Sequence, residues 1–182
     1  MKNIIELFEN SVAHFPLKTA IICNEKEVTY RELDKLVKTF SGNLKSQWGI
    51  RSGDNIAILL PNCTEFIIVY LGIIHSGAVA LPVNTRLKPP EISFILRNAH
   101  ACALITHNNT WDTAQTCFTE ISGIKHLMSV NCEHDTATSL ERFISGDASG
   151  YNVPDLQPDN VAAIIYTSGT TSTPKGVPIT HS

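Results

Sequence analysis

Thr167, Ser168, Thr170, Thr171, Ser172 and Thr173 set six hydroxyls within seven consecutive positions, and Lys175 adds a cation just beyond them. The run reads Tyr166-Thr-Ser-Gly-Thr-Thr-Ser-Thr-Pro-Lys-Gly-Val177, with Gly169 and Gly176 flanking the turn. Glycine lets the backbone come close to a ligand. Backbone N–H groups and hydroxyls are neutral donors to an oxyanion, and lysine supplies a point charge. The chemistry is that of a phosphate cradle. A Ser/Thr/Gly/Pro cluster also describes an ordinary solvated loop, and the flanks favour the cradle. Val161–Ile165 is an apolar run of strand length, and Val177–Thr180 can form a second short strand.

Spelling excludes two familiar phosphate loops. Counted from Gly169, Pro174 stands where G-x-x-x-x-G-K-[ST] needs its second glycine, and Gly176 stands where that pattern needs a magnesium-holding hydroxyl. No G-x-G-x-x-G follows an apolar strand. No G-x-S-x-G elbow supports a serine hydrolase. Asp54 and Glu65 are isolated carboxylates that suit caps or surface better than acid–base work. His75, on an apolar helix face, reads as a core histidine.

The hydroxyl–lysine run resembles the signature of the adenylate-forming enzymes, a family of acyl-CoA synthetases, aryl-CoA ligases, luciferases and peptide-synthetase adenylation domains. Ser172 departs from their pattern, which has glycine there. The resemblance continues upstream through Thr29-Tyr-Arg-Glu-Leu33, Gly53-Asp54, Ala57–Asn62, Glu65-Phe66, Leu71-Gly72, Gly77-Ala-Val79 and Pro82–Leu87. The spelling of Pro82, Asn84, Arg86 and Leu87 is nearer to fatty-acyl and aryl CoA ligases than to peptide-synthetase domains. The resemblance implies that a carboxylic acid reacts with ATP and Mg²⁺ to give an acyl-adenylate and pyrophosphate, after which coenzyme A takes the acyl group. It implies a catalytic role for Lys175, and ATP-phosphate binding by Thr167, Ser168, Gly169, Thr170, Thr171, Ser172, Lys175 and Gly176.

The bulk properties fit this reading. The chain has 182 residues, 43% hydrophobic and 17% charged, with net charge −3. That is an ordinary globular composition of one-domain length. Its scattered Lys and Arg residues give no nucleic-acid footprint. Five cysteines without a C-x-x-C pair, and no secretory leader pattern at Met1, lead us to expect reduced thiols in the cytoplasm. Cys132-x-His134 lacks the second pair a zinc site needs. Residues 66–83 are long and apolar enough to raise a membrane span, but His75, Ser76, Gly77 and Pro82 break them into a helix, a stop and a strand.

Periodicity supplies the elements that must position the run. Helices are expected at 3–15, from Thr29 to about Trp48, at 64–76, 90–98, 111–120 and 138–145. Strands are expected at 20–23, 56–60, 79–82, 101–106, 124–130 and 161–165. Thr29 and Glu32 spell a capping box, and Gly49 suits the C′ position. Residues 146–160 read as a Gly/Ser/Asp/Pro linker. Alternating helices and apolar strands predict an α/β fold with a mainly parallel sheet covered on both faces, ligands sitting beyond the strands' carboxyl ends.

By resemblance, the adenine, ribose and acyl pockets and a C-terminal catalytic lysine lie outside residues 1–182. We therefore expect the N-terminal subdomain of a ligase, inactive alone, with the doubly buried strands associating as a homodimer and the 167–176 loop mobile. The alternative is a non-catalytic module that binds an anion or a partner protein.

Overall fold

The computed structural model describes residues 3–146, 154–167 and 174–182. Its centre is a seven-stranded sheet that begins with β3 (Asn55–Leu59) and β4 (Val79–Pro82) and continues through β5 (Ala103–His107) and β6 (His126–Val130). The short β7 (Thr138–Ser139) closes one edge, while β8 (Val161–Thr167) and β9 (Lys175–Thr180) form the other. The spatial order is β7-β6-β5-β3-β4-β8-β9, with every pairing parallel except β8–β9.

The strands are apolar on both faces because helices cover both. Ile56, Ala57, Ile58 and Leu59 are all 0% exposed. Ile56 and Ile58 face one core with Phe40, Ile73, Ile105 and Met128. Ala57 and Leu59 face the other with Ile95, Leu96, Leu104 and Trp111. The first core is roofed by α2 (Tyr30–Ser46), α3 (Thr64–His75) and α6 (Leu140–Phe143), the second by α4 (Pro89–Asn98) and α5 (Trp111–Glu120). The helices that follow β3 and β4 thus lie on opposite faces, and α5 shares the face of α4, as in a doubly wound sheet.

Local signals start and stop these helices where needed. Thr29 and Glu32 close a full capping box on α2: the Thr29 hydroxyl accepts from the Glu32 N–H, and the Glu32 carboxylate from the Thr29 N–H at 2.8 Å. Gly49, at φ +65°, ends that stretch in a left-handed turn. α1 (Ile4–His14) is capped by Asn3, whose side chain accepts from the Glu6 N–H at 2.8 Å. The Asn3 amide also donates to the Leu156 carbonyl at 3.0 Å, tying the start of the chain to the approach to β8.

The α/β reading of the sequence holds, and the 66–83 stretch is α3 followed by β4. No helix among the described residues is long and apolar enough to cross a membrane. Three details differ. The expected strand at 20–23 is β1 (Thr19–Cys23), turned at Asn24 and Glu25 (φ 47° and 66°), but it pairs with an unexpected β2 (Lys26–Thr29) in a separate hairpin. Two positive φ values suit a two-residue hairpin turn, but β2 is too polar to announce itself. The helix expected at 138–145 is instead β7 followed by the single turn of α6, because the Ser139 hydroxyl donates to Glu141 at 2.7 Å and holds the start of that turn at 139. Of the linker expected at 146–160, residues 147–153 lie outside the described residues, and Leu156 packs on the first core.

α2 and α3 meet at Gly72. A Cβ there would lie 2.5 Å from Phe40 Cδ1. Gly72→Ala gains roughly 1 kcal/mol of helix propensity but overpacks a ring that is 0% exposed, at a cost of about 1–3 kcal/mol. Urea denaturation should show net destabilisation, partly relieved by adding Phe40→Leu. Nearby, burial and the Lys38 charge push the His75 imidazole down to about 4, with Ser41 Oγ 2.9 Å from Nδ1. The unfolded chain takes up this proton near pH 6.5, and the folded chain only near 4. His75 stabilisation is therefore complete above the unfolded value and is lost as pH falls through this window, on the order of 3 kcal/mol. Stability profiles of the wild type and His75→Gln should diverge there and run parallel above pH 7.

Candidate functional site

The hydroxyl–lysine run leaves β8 at the carboxyl end of the parallel sheet and returns as β9. The antiparallel register sets Thr167 opposite Lys175, Tyr166 opposite Gly176 and Ile165 opposite Val177. Ladder pairing therefore fixes where the Lys175 backbone stands relative to Thr167. Thr167, Lys175 and Gly176 are within the described residues, whereas Ser168, Gly169, Thr170, Thr171 and Ser172 lie outside them. Lys175 and Gly176 belong to β9 rather than to a loop, so the hairpin's second strand begins two residues earlier than the sequence pattern placed it. Lys175 is exposed and makes no ion pair among the described residues.

Beside this hairpin the ends of β3, β4 and β8 surround a crevice of about 520 Å³. Asn62, Phe66, Asn84, Arg86 and Tyr166 are among its lining residues. Asn84 holds the turn after β4 through its side-chain oxygen, which accepts from the Arg86 N–H at 2.9 Å. A crevice outside the carboxyl ends of parallel strands, where helices diverge to opposite faces, is where ligands of such sheets sit.

Tyr166 is half-buried against the second core, and its hydroxyl donates a hydrogen bond to Asn98 Oδ1 at the end of α4. Burial pushes its phenol up from the ordinary value, which keeps it a donor. Nothing in the sequence links Tyr166 to Asn98 across 68 positions. This contact was missed for that reason.

The weaker sequence candidates take structural roles. Asp54 closes a turn by accepting from the Arg51 N–H at 2.7 Å. Glu65 stands in the first turn of α3. His75 is buried between α2 and α3. His134 stacks on Trp111 with ring centroids 3.5 Å apart, and among the described residues no cluster of three His, Cys, Asp or Glu side chains forms a metal site. All five cysteines are free thiols, and burial pushes Cys63 and Cys102 up to about 11.

By its fold the chain is a doubly wound α/β domain that bears Lys175 at the carboxyl end of its sheet. Comparison with known proteins gives this class a family: the chain belongs to the AMP-binding enzymes, which it matches over residues 8–182. It is 35% identical over 174 residues to a crotonobetaine/carnitine–CoA ligase of Escherichia coli O1:K1, a match covering 90% of this chain and 34% of the relative. The anthranilate CoA ligase AuaEII, solved with anthranoyl-AMP, superposes with a TM-score of 0.93 at 26% identity, covering 99% of this chain and 35% of that one. The N-terminal domain of FACL13 from Mycobacterium tuberculosis, solved with an inhibitor, has a TM-score of 0.85 at 29% identity, over 100% of this chain and 45% of that one. The chain thus spans about a third of the length of the curated relatives it matches.

Proposed function

We propose that this chain supplies the phosphate-handling part of an ATP-dependent acid–thiol ligase, which joins a carboxylic acid to coenzyme A through an acyl-adenylate in the cytoplasm. One observation carries the reading. In a chain of the AMP-binding family, β8 and β9 hold Lys175 opposite Thr167 at the carboxyl end of the sheet. An exposed lysine beside a hydroxyl fits phosphate oxygens. Among the described residues, neither β8 nor β9 contains an Asp or Glu; Mg²⁺ would enter with the phosphates. ATP, when bound, supplies the leaving pyrophosphate.

Lys175 then meets charge that grows on the departing oxygens. Thr167, with Ser168, Gly169, Thr170, Thr171, Ser172 and Gly176, supplies hydroxyl and N–H donors. Fixed donors and a fixed cation cost no reorganisation as the charge develops, which is the largest lever available to a site that does no covalent chemistry itself. The acid is an acyl or aryl carboxylate, by analogy with the CoA ligases above. A non-catalytic anion- or partner-binding module has no observation of its own in its favour.

Lys175→Ala, in the protein as its gene encodes it, should lower the kcat of acid-dependent ATP–pyrophosphate exchange by at least 100-fold and leave the acid's KM nearly unchanged. Thr171→Ala should act in the same direction, on the order of ten-fold, because it removes a neutral donor. An effect confined to the acid's KM contradicts the role given to Lys175. Residues 1–182 alone should show no exchange with any acid.

The apolar side chains of Ile165, Val177 and Ile179 share one face of the β8–β9 hairpin and are 37%, 43% and 44% exposed. We propose that residues 1–182 alone pair through this face as a two-fold dimer. Sedimentation should show a concentration-dependent dimer that Ile179→Lys returns to monomer.

A further inference from the structure

Gly176 poses a specific question. Glycine is often required by a positive φ, and here Gly49, Gly53 and Gly77 meet that description while Gly176 does not. What Gly176 supplies is room. A Cβ at this position would lie 3.0 Å from Tyr166 Cε2, 3.1 Å from Tyr166 Cζ and 3.1 Å from Ile164 Cγ2. The Tyr166 ring therefore lies across the backbone of its own cross-strand partner, and its hydroxyl donates to Asn98 at the end of α4. That acceptor is a fixed point, because Ile92, Ile95 and Leu96 hold α4 in the second core at 2%, 1% and 0% exposure.

We propose that Tyr166 is a positioning residue for Lys175. Its ring, seated on Gly176 and tied to Asn98, locks the β8–β9 register that sets Lys175 opposite Thr167. The inference rests on the reading that Lys175 meets phosphate, but its physical content is separate. β9 is the edge strand of the described sheet, held by β8 alone, and its Pro178 has no N–H to give the ladder. Such a strand has few restraints against a shift or a rotation at its first residues, where Lys175 begins it. A ring pinned at its far end supplies the missing restraint at the pair next to Lys175. A methyl group at 176 would meet the ring on one side and Ile164 on the other. With the ring tied to α4 and Ile164 packed on the second core, the strand has to move.

The test is a double-mutant cycle in the protein as its gene encodes it, read by pyrophosphate exchange and by calorimetric binding of inorganic pyrophosphate. Tyr166→Phe keeps the ring and removes the donor; it should lower exchange kcat about ten-fold, the size of one lost hydrogen bond, with the acid's KM unchanged. Asn98→Leu should match it. Asn98→Asp, which still accepts from the phenol, should stay within about two-fold of wild type. Gly176→Ala should weaken pyrophosphate binding as Tyr166→Phe does. In a Lys175→Ala background, Tyr166→Phe should cost nothing further in either readout, because a residue that acts through Lys175 has nothing left to position.

Additive losses in the cycle, or a fully active Tyr166→Phe beside an inactive Lys175→Ala, would overturn the inference and leave the adenylation reading standing. Non-additive pyrophosphate binding in a protein that performs no exchange would support the inference and overturn that reading. No pyrophosphate binding by the unsubstituted protein would overturn the inference outright.

Discussion

Burial of β3 on both faces is the constraint from which the remaining structure follows. Four consecutive residues, Ile56–Leu59, are sealed from solvent, and a strand has only two faces, so each face needs its own layer of helices. α3 returns the chain on one side to β4, and α4 returns it on the other to β5. Parallel neighbours on both sides of β3 leave their carboxyl ends together at one end of the sheet. The crevice between Asn62, Arg86 and Tyr166 is a consequence of that wiring. Its loops anchor in the cores through Leu60 and Val83 and carry the polar Asn62, Asn84 and Arg86 between those anchors.

β8 extends this arrangement and also ends it. It pairs with β4 in parallel through Ala80 and Ala163, then reverses into the antiparallel β9. A parallel connection needs a crossover helix, whereas a reversal needs only a turn. The reversal brings Lys175 back beside Thr167, at the end of the sheet where ligands gather, instead of carrying it to the far end. The sheet's two ends differ in character as a result. At the opposite end a second cavity of about 460 Å³, among Ser52, Gly77, Asp155 and Asn160, lies at the strands' amino ends and borders the far part of the β8–β9 hairpin at Val161, Ile164 and Pro178.

Much of this was legible in the sequence for physical reasons. Buried parallel strands must be continuous apolar runs, so Ile56–Leu60, Val79–Pro82 and Val161–Ile165 were found to within a residue or two of the observed β3, β4 and β8. Thr29 with Glu32 announced α2 because a capping box is a local device with a local spelling. β2 was missed, since a four-residue strand with two exposed charged residues, Lys26 and Glu27, follows no hydrophobic period. β7 was hidden inside an expected helix because its two residues are strand only through pairing with Met128 and Ser129. Within the site, Lys175 and Thr167 could be read from spacing, whereas the contact between Tyr166 and Asn98 depends on tertiary geometry that no spacing encodes. The fit of Gly176 under the Tyr166 ring is of the same kind: the sequence shows the glycine, and only the fold shows what occupies the space.

The central claim is that ligand phosphates meet the β8–β9 end of the sheet. A crystal structure of the protein as its gene encodes it, grown with ATP or a non-hydrolysable analogue, tests this most directly. The account predicts phosphate oxygens within hydrogen-bond reach, roughly 3 Å, of Lys175 Nζ and Thr167 Oγ1, with the Tyr166–Asn98 contact intact. Phosphate density at the amino-end cavity near Ser52 and Asn160, with Lys175 free in solvent, would contradict it.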